Sequence, residues 1–288
     1  MHHHAELAVY SFLQKAMKGE SDMAEEIREQ VAQDVKAALE KQFSGPSRDE
    51  FKLRMSNIGR PKCQLWFEKN DSEDKTPLPP HFLMNMIIGD IVEAVFKGLL
   101  RAAGISFTDN EKVTLKLEDG TEINGEFDMV LDDAVDDVKS ASPWSYQNKF
   151  ASSAALAEGD SFGYIAQLVG YSRAAGKRMG GWWVVNKANG EFKYVPAEDV
   201  DEATVLSEIQ DTVSYINNDE PFQRCFEPVS ETHYRKPTGN KKLGIGCSFC
   251  SYKHKCWPGL KTIPAVMSTA KNPPMVDYVE LAPEYDDG

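Results

Sequence analysis

Four of the five cysteines in this chain are placed where they have to meet across most of its length. Cys247, Cys250 and Cys256 form a C-x2-C-x5-C cluster, and Cys63 stands alone far upstream. In a reducing compartment, clustered thiols favour a metal over disulfides. Cys247 and Cys250 can approach one metal from a single turn, and Cys256 needs only a short return of the chain. The fourth ligand must come from elsewhere, and Cys63 is the candidate. A chain tied in this way folds its two ends together and closes a long loop. Zinc accepts four thiolates, or His254 in place of one; an iron–sulfur cluster is the other occupant. Cys225 is an alternative fourth ligand, although its neighbours Phe222 and Phe226 equally suit a buried, inert thiol.

At 288 residues the chain can bury an ample core, as one large domain or two small ones. Charged residues make up 27% and hydrophobic residues 41%, an ordinary globular balance. The longest apolar stretches, residues 82–88 and 91–100, are interrupted by Asp90, Glu93 and Lys97, so nothing is expected to span a bilayer. The start lacks the apolar core of a signal peptide, and a cytoplasmic location is expected. His2, His3 and His4 are set aside, because such a run also arises as a tag remnant.

The net charge of −13 argues against a polyanionic partner, since phosphate binding is mostly electrostatic. Its distribution argues the other way. Residues 232–261 contain no acid, while Arg235, Lys236, Lys241, Lys242, Lys253, Lys255 and Lys261 are basic. Tyr234, Phe249, Tyr252 and Trp257 interleave with these charges, as on single-strand stacking surfaces; Phe249 and Trp257 also suit packing around a metal. Acid concentrates in residues 20–40 and in the tail, at Asp277, Glu280, Glu284, Asp286 and Asp287.

Periodicity predicts a helix over residues 24–43, with Asp22 as its cap and Gly45-Pro46 as its break. A short extended piece follows at 51–55, and then a helix carrying Cys63 that starts at Ser56 or Pro61. The longest apolar-periodic helix covers 81–103 and ends at Gly104. The pattern then changes to period two: strands at 113–117 and from 121 onward flank the Asp119-Gly120 turn, and Asp132-Asp133 turns into a third strand at 134–140. Helices are expected at 143–156 and 161–175, the second capped by Asp160. A hairpin around Asn189-Gly190 and a helix at 201–216 complete the α/β reading, with a mixed central sheet. Trp182-Trp183 places one ring on each face of a strand, so at least one is core. Residues 263–288 read as an extended acidic tail.

Within this frame lies an acidic set. A magnesium ion takes hard oxygen ligands, and phosphodiester hydrolysis uses it to activate water and neutralise charge. Asp128 and Asp137 lie on either side of the Asp132-Asp133 turn and can meet at one end of a hairpin. Lys139, two residues after Asp137, points to the same face. Val138 between them can offer its carbonyl. Glu93 sits within an otherwise apolar helix, where an unpaired charge is costly. Gln167 and Tyr171 are spaced i, i+4 on one helical face.

The order Glu93, Gly125-Glu126-Phe127-Asp128, Asp137-Val138-Lys139, Gln167-x3-Tyr171 resembles the RecB-like branch of the PD-(D/E)xK nucleases. Combined with Cys63 and C-x2-C-x5-C, it is similar to the iron–sulfur nucleases of that branch. These include a CRISPR-associated adaptation exonuclease, AddB-type helicase–nucleases and phage-encoded relatives. The resemblance implies a restriction-endonuclease-like core spanning residues 56–262, preceded by a helical region at 1–55 and followed by the tail at 263–288. It implies Mg²⁺ or Mn²⁺ held by Asp128, Asp137 and the Val138 carbonyl, supplemented by Glu93. Lys139 would orient the attacking water, and Gln167 and Tyr171 would position the substrate or the active-site strands. A [4Fe–4S] cluster on Cys63, Cys247, Cys250 and Cys256 would join the N- and C-terminal parts, outside the catalytic centre.

The expected activity is DNA exonuclease on single-stranded or frayed ends, with Arg235, Lys236, Lys241, Lys242 and Lys253 tracking the backbone. An endonuclease, a non-catalytic DNA-binding or assembly module and an iron–sulfur electron carrier are the alternatives. No Walker-type motif is present, so any helicase is a separate partner in replication, recombination or CRISPR adaptation. The relevant cytoplasm is bacterial, or the host's for a phage-encoded chain.

Overall fold

The computed structural model describes residues 2–44 and 51–285. The expected break at Gly45-Pro46 and the tail residues Asp286 and Asp287 lie outside them. Helix α1 (His4–Met17) and α2 (Glu25–Phe43) precede α3 (Lys62–Asn70) and the long α4 (Pro80–Ala102). Next come β1 (Glu111–Lys116), β2 (Glu122–Phe127), β3 (Met129–Leu131) and β4 (Ala134–Ala141). Helices α5 (Ser153–Ala157) and α6 (Tyr164–Ala175) lead to β5 (Arg178–Asn186) and β6 (Phe192–Pro196). Helix α7 (Glu202–Asn217) is followed by β7 (Val229–His233), β8 (Lys236–Lys242), α8 (Ile245–Ser248), α9 (Lys253–Cys256), β9 (Lys261–Pro264) and β10 (Met275–Glu280). The strands form three sheets, one of them mixed, in an α/β arrangement. No helix among the described residues is long and apolar enough to cross a membrane.

Two compact units are formed, one from Met1–Gly59, Pro79–Glu158 and Gly163–Gln210, the other from Arg60–Leu78, Gly159–Phe162 and Asp211–Gly288. This grouping differs from boundaries at residues 55 and 262. The N-terminal helices belong with the first unit, and the Cys63 helix belongs with the C-terminal strands.

In the first unit the mixed sheet runs β3-β4-β5-β6, with β4 and β5 parallel and the outer pairs antiparallel. Helix α6 lies on the connection between the parallel strands and packs on both; α4 packs on β4, and α1 on α4. The core joins Ala5 and Val9 of α1, Phe96 and Leu100 of α4, and Met129, Leu131, Val138, Trp183 and Phe192 of the sheet. Trp182 and Trp183 are both fully buried, on opposite faces of a strand covered on each side. The expected three-strand meander is split. Strands β1 and β2 make a separate two-stranded sheet, and the chain passes from β2 into β3 through Asp128. The helix expected at 143–156 is broken into a π-turn, Ser145–Lys149, and α5. Residues 51–55 contribute a single bridge, Arg54 to Asn124. Asp22 does not cap α2; it accepts from the Met23 N–H and pairs with Arg28 at 3.1 Å.

The second unit carries the sheet β7-β8-β10-β9, which period-two patterning did not reveal. Strand β10 lies inside the segment read as a tail and pairs with both β8 and β9. Its acidic residues neutralise the basic stretch: Asp277 pairs with Lys253 at 2.7 Å and Glu280 with Lys241 at 2.6 Å. Beneath them Glu231 is buried but satisfied, accepting from Tyr278 Oη at 2.9 Å and Asn240 Nδ2 at 2.8 Å.

Candidate functional site

The β3–β4 register sets Met129 opposite Asp136, which makes Asp128 and Asp137 the next facing rung. Asp132 and Asp133 both take positive φ, 50° and 62°, so the two-residue turn is of the kind that matches strand twist. Strand β3 stops short, leaving the Val138 N–H free of a ladder, and it donates instead to Asp128 Oδ2 at 2.9 Å. Lys139 Nζ stands 2.5 Å from Asp137 Oδ2. That oxygen is buried, and the Lys139 ammonium is the group that meets it. Burial first, and the Asp137 charge second, push the Asp128 carboxyl upward against the pull of Lys139. Burial opposes the Lys139 charge, but Asp137 and Asp128 outweigh it and raise that ammonium's pKa.

Neighbouring carboxylates have other duties. Asp136 points to the opposite face and accepts from Gly181 N at 2.9 Å, Trp183 Nε1 at 3.0 Å and Tyr194 Oη at 2.9 Å. Burial pushes its carboxyl up to about 7 against these three donors. The pairing slips by one residue between Val135 and Asp137, where Gly180 and Gly181 bulge, and a Cβ at Gly180 would run into Asp136 Oδ1. Glu93, the carboxylate within the otherwise apolar α4, is paired. Lys97, one turn on and almost fully buried, donates to Glu93 Oε1 at 2.7 Å and to Asn110 Oδ1 at 2.7 Å. Burial and the Asp128 charge still raise the Glu93 carboxyl. The i, i+4 spacing of Glu93 and Lys97 was the available sequence signal.

Gln167 Nε2 donates to the Ser56 carbonyl at 3.1 Å. Tyr171 is buried against Gly125, where a Cβ would collide with the Tyr171 ring and with Met55. The glycine three residues before Asp128 is thus required for this approach of α6 to β2. Burial, then the Asp137 and Asp128 charges, raise the Tyr171 phenol.

In the second unit Cys63, Cys247, Cys250 and Cys256 line one pocket, together with Phe67 and Trp257. Cys225 is not on that lining; its Sγ accepts from the Cys63 N–H at 3.1 Å. Burial pushes the Cys247 thiol up to about 12 and raises Cys250 and Cys256 as well, so thiolates here call for a compensating cation. Of the basic residues considered for DNA, Lys241 and Lys253 are ion-paired at close range and Lys242 lies 4.0 Å from Glu231. Tyr234 and Arg235 form the β7–β8 turn, and Lys236 opens β8 opposite His233.

A group that sequence reasoning set aside also appears. His3, His4 and Asp132 have donor atoms within 4.8 Å of one another. His3 Nδ1 accepts from the Ala5 N–H at 3.3 Å, which leaves the neutral ring's proton on Nε2, 3.8 Å from Asp132. With its ring against Trp183 and Tyr194, His3 is a cap and a clamp for α1.

No protein-family profile matches the chain, and no curated protein matches it. Among solved structures, the crystal structure of SSO0001 is similar over 77% of this chain and 93% of that one, at 14% identity and a TM-score of 0.44. That likeness is too distant to bear on function.

Proposed function

We propose that this chain is a metal-dependent DNA nuclease of the RecB-like PD-(D/E)xK type, with the restriction-endonuclease-like core of that group, acting on single-stranded or frayed ends. The observation that carries the reading is the facing pair Asp128 and Asp137 with Lys139 against it. Three charged groups gathered at the truncated edge of a sheet are costly for stability alone. The buried Asp137 carboxylate, facing Asp128 and met by the Lys139 ammonium, suits Mg²⁺ or Mn²⁺, and so does the second oxygen of Asp128. The Val138 carbonyl faces the same edge as its N–H and suits a third ligand position. The metal would supply an activated water and a counter-charge for the phosphate. Lys139 would hold the water or a phosphate oxygen as charge develops. Val138 N–H fixes the Asp128 rotamer, and Tyr171 and Gln167 fix α6 to the strands that carry the site. Glu93, balanced by Lys97, is left a supporting part.

The pocket lined by four thiols suits a [4Fe–4S] cluster as a structural staple. Zinc on the same four thiolates is the alternative.

The test is end-labelled single- and double-stranded DNA with Mg²⁺ or Mn²⁺, linear and circular, with Asp137→Ala as control. Loss of linear strands only, absent in the variant, is expected. Cutting of circles would make the enzyme an endonuclease. No cutting by wild type would leave the binding-module reading.

A further inference from the structure

The basic stretch of the second unit is largely engaged with its own acids, so the substrate strand needs another surface. One lies directly after the strand that carries Asp137 and Lys139. The π-turn Ser145–Lys149 is held rigid: Ser145 N donates to Ser142 Oγ at 3.2 Å, Asn148 Nδ2 to the Trp144 carbonyl at 2.9 Å, and Lys193 Nζ to the Tyr146 carbonyl at 2.7 Å. On this rigid turn Trp144 is 61% exposed.

Cations lie along the turn that follows it. Lys149 Nζ lies 4.9 Å from the centre of the Tyr164 ring, and Lys139 Nζ lies 5.0 Å from the centre of the same ring. The Tyr164 ring therefore spans from the candidate catalytic lysine to the turn. Lys193 Nζ sits 4.4 Å over the Tyr146 ring and has no carboxylate partner among the described residues. Alternating cations and aromatic rings, one ring open to solvent, is the arrangement that binds unpaired polynucleotide: phosphates to the ammoniums and a base on the indole.

We propose that Trp144 is a base-stacking platform for single-stranded DNA and that Lys149, held by Tyr164, contacts the phosphate leading to Lys139. This rests on the nuclease reading and names its substrate path. Affinity is read by anisotropy of a labelled oligo-dT and of a blunt duplex, both on the full chain in the cleavage-impaired Asp137→Ala background. Trp144→Ala should weaken oligo-dT binding roughly tenfold, the effect of one lost base stack, and leave duplex binding within about threefold; Trp144→Phe should retain most of the affinity. Lys149→Ala should lower the slope of log affinity against log salt by about 0.7, one phosphate contact. Equal oligo-dT affinity for Trp144→Ala and its parent would overturn the proposal, as would an equal loss on duplex. Failure of the parent to bind either DNA would overturn the nuclease reading, and this path with it.

Discussion

Side by side on β4 stand two aspartates with opposite fates. Asp136 is ringed by three donors, whereas Asp137 Oδ2 is met by the Lys139 ammonium. Sequence separates them only by spacing to Lys139; the structural reason is a bulge at Gly180 and Gly181, forty-odd residues on, which makes room for the Asp136 carboxylate. Lys97 makes a similar point. It looked like an interruption of an apolar helix, and it is the buried counter-charge of Glu93, with Asp109 also 3.2 Å away. Lys97→Met should therefore cost on the order of 3 kcal/mol, because Glu93 is left half-buried without its partner. Urea midpoints measure this, and Glu93→Gln added to Lys97→Met should recover a large part. An additive double variant would mean that the pair is not coupled.

The elements whose pattern is local were legible. Helix α4 follows its apolar stripe to Gly104, and the hairpins at Asp119-Gly120 and Asn189-Gly190 follow turn chemistry. Helix α6 was not placed correctly at its start, because the reason lies far away. Its cap is Gly163, in the left-handed region at φ 76°, and its backbone packs directly on Gly59. An Asp160 cap is good local chemistry that this contact overrides. Gly163→Ala should cost more than the roughly 1–3 kcal/mol of a strained backbone position, since its Cβ also meets the Gly59 backbone. Gly176 ends the same helix at φ 62° with open space around it, so Gly176→Ala should cost only the strain. Comparing the two by thermal unfolding separates collision from conformation; equal losses would remove the Gly59 contact from the account.

For the molecule as a whole, the first unit is held by a conventional apolar core, and the second combines buried apolar side chains, Leu65, Phe67, Val213 and Tyr252 among them, with polar ties and the thiol pocket. The sheet β7–β10 was invisible in sequence because its burial does not alternate: β8 reads exposed at four of seven positions, and its partners are read from ion pairs and Glu231. If the thiols hold a cluster, Cys250→Ser should lose iron and acid-labile sulfide in an anaerobic preparation. Amide exchange should then rise across β7–β10 while β4 and β5 keep their protection. Unchanged iron content would move the ligand set, with Cys225 the first candidate; loosening of β4 and β5 would mean that the units are not independently stable.

The second unit is assembled from three separated stretches, with most of the first unit interposed between α3 and the C-terminal strands. On a ribosome delivering about 5–20 residues per second, Cys63 waits roughly ten to forty seconds for Cys256 to be made. Throughout that interval Leu65 and Phe67, both buried in the finished fold, wait for partners such as Phe222 and Tyr252, and the first thiol has no companions. The β3–β6 sheet can close while the nascent chain is still growing. The thiol pocket is complete only once Cys256 has joined it.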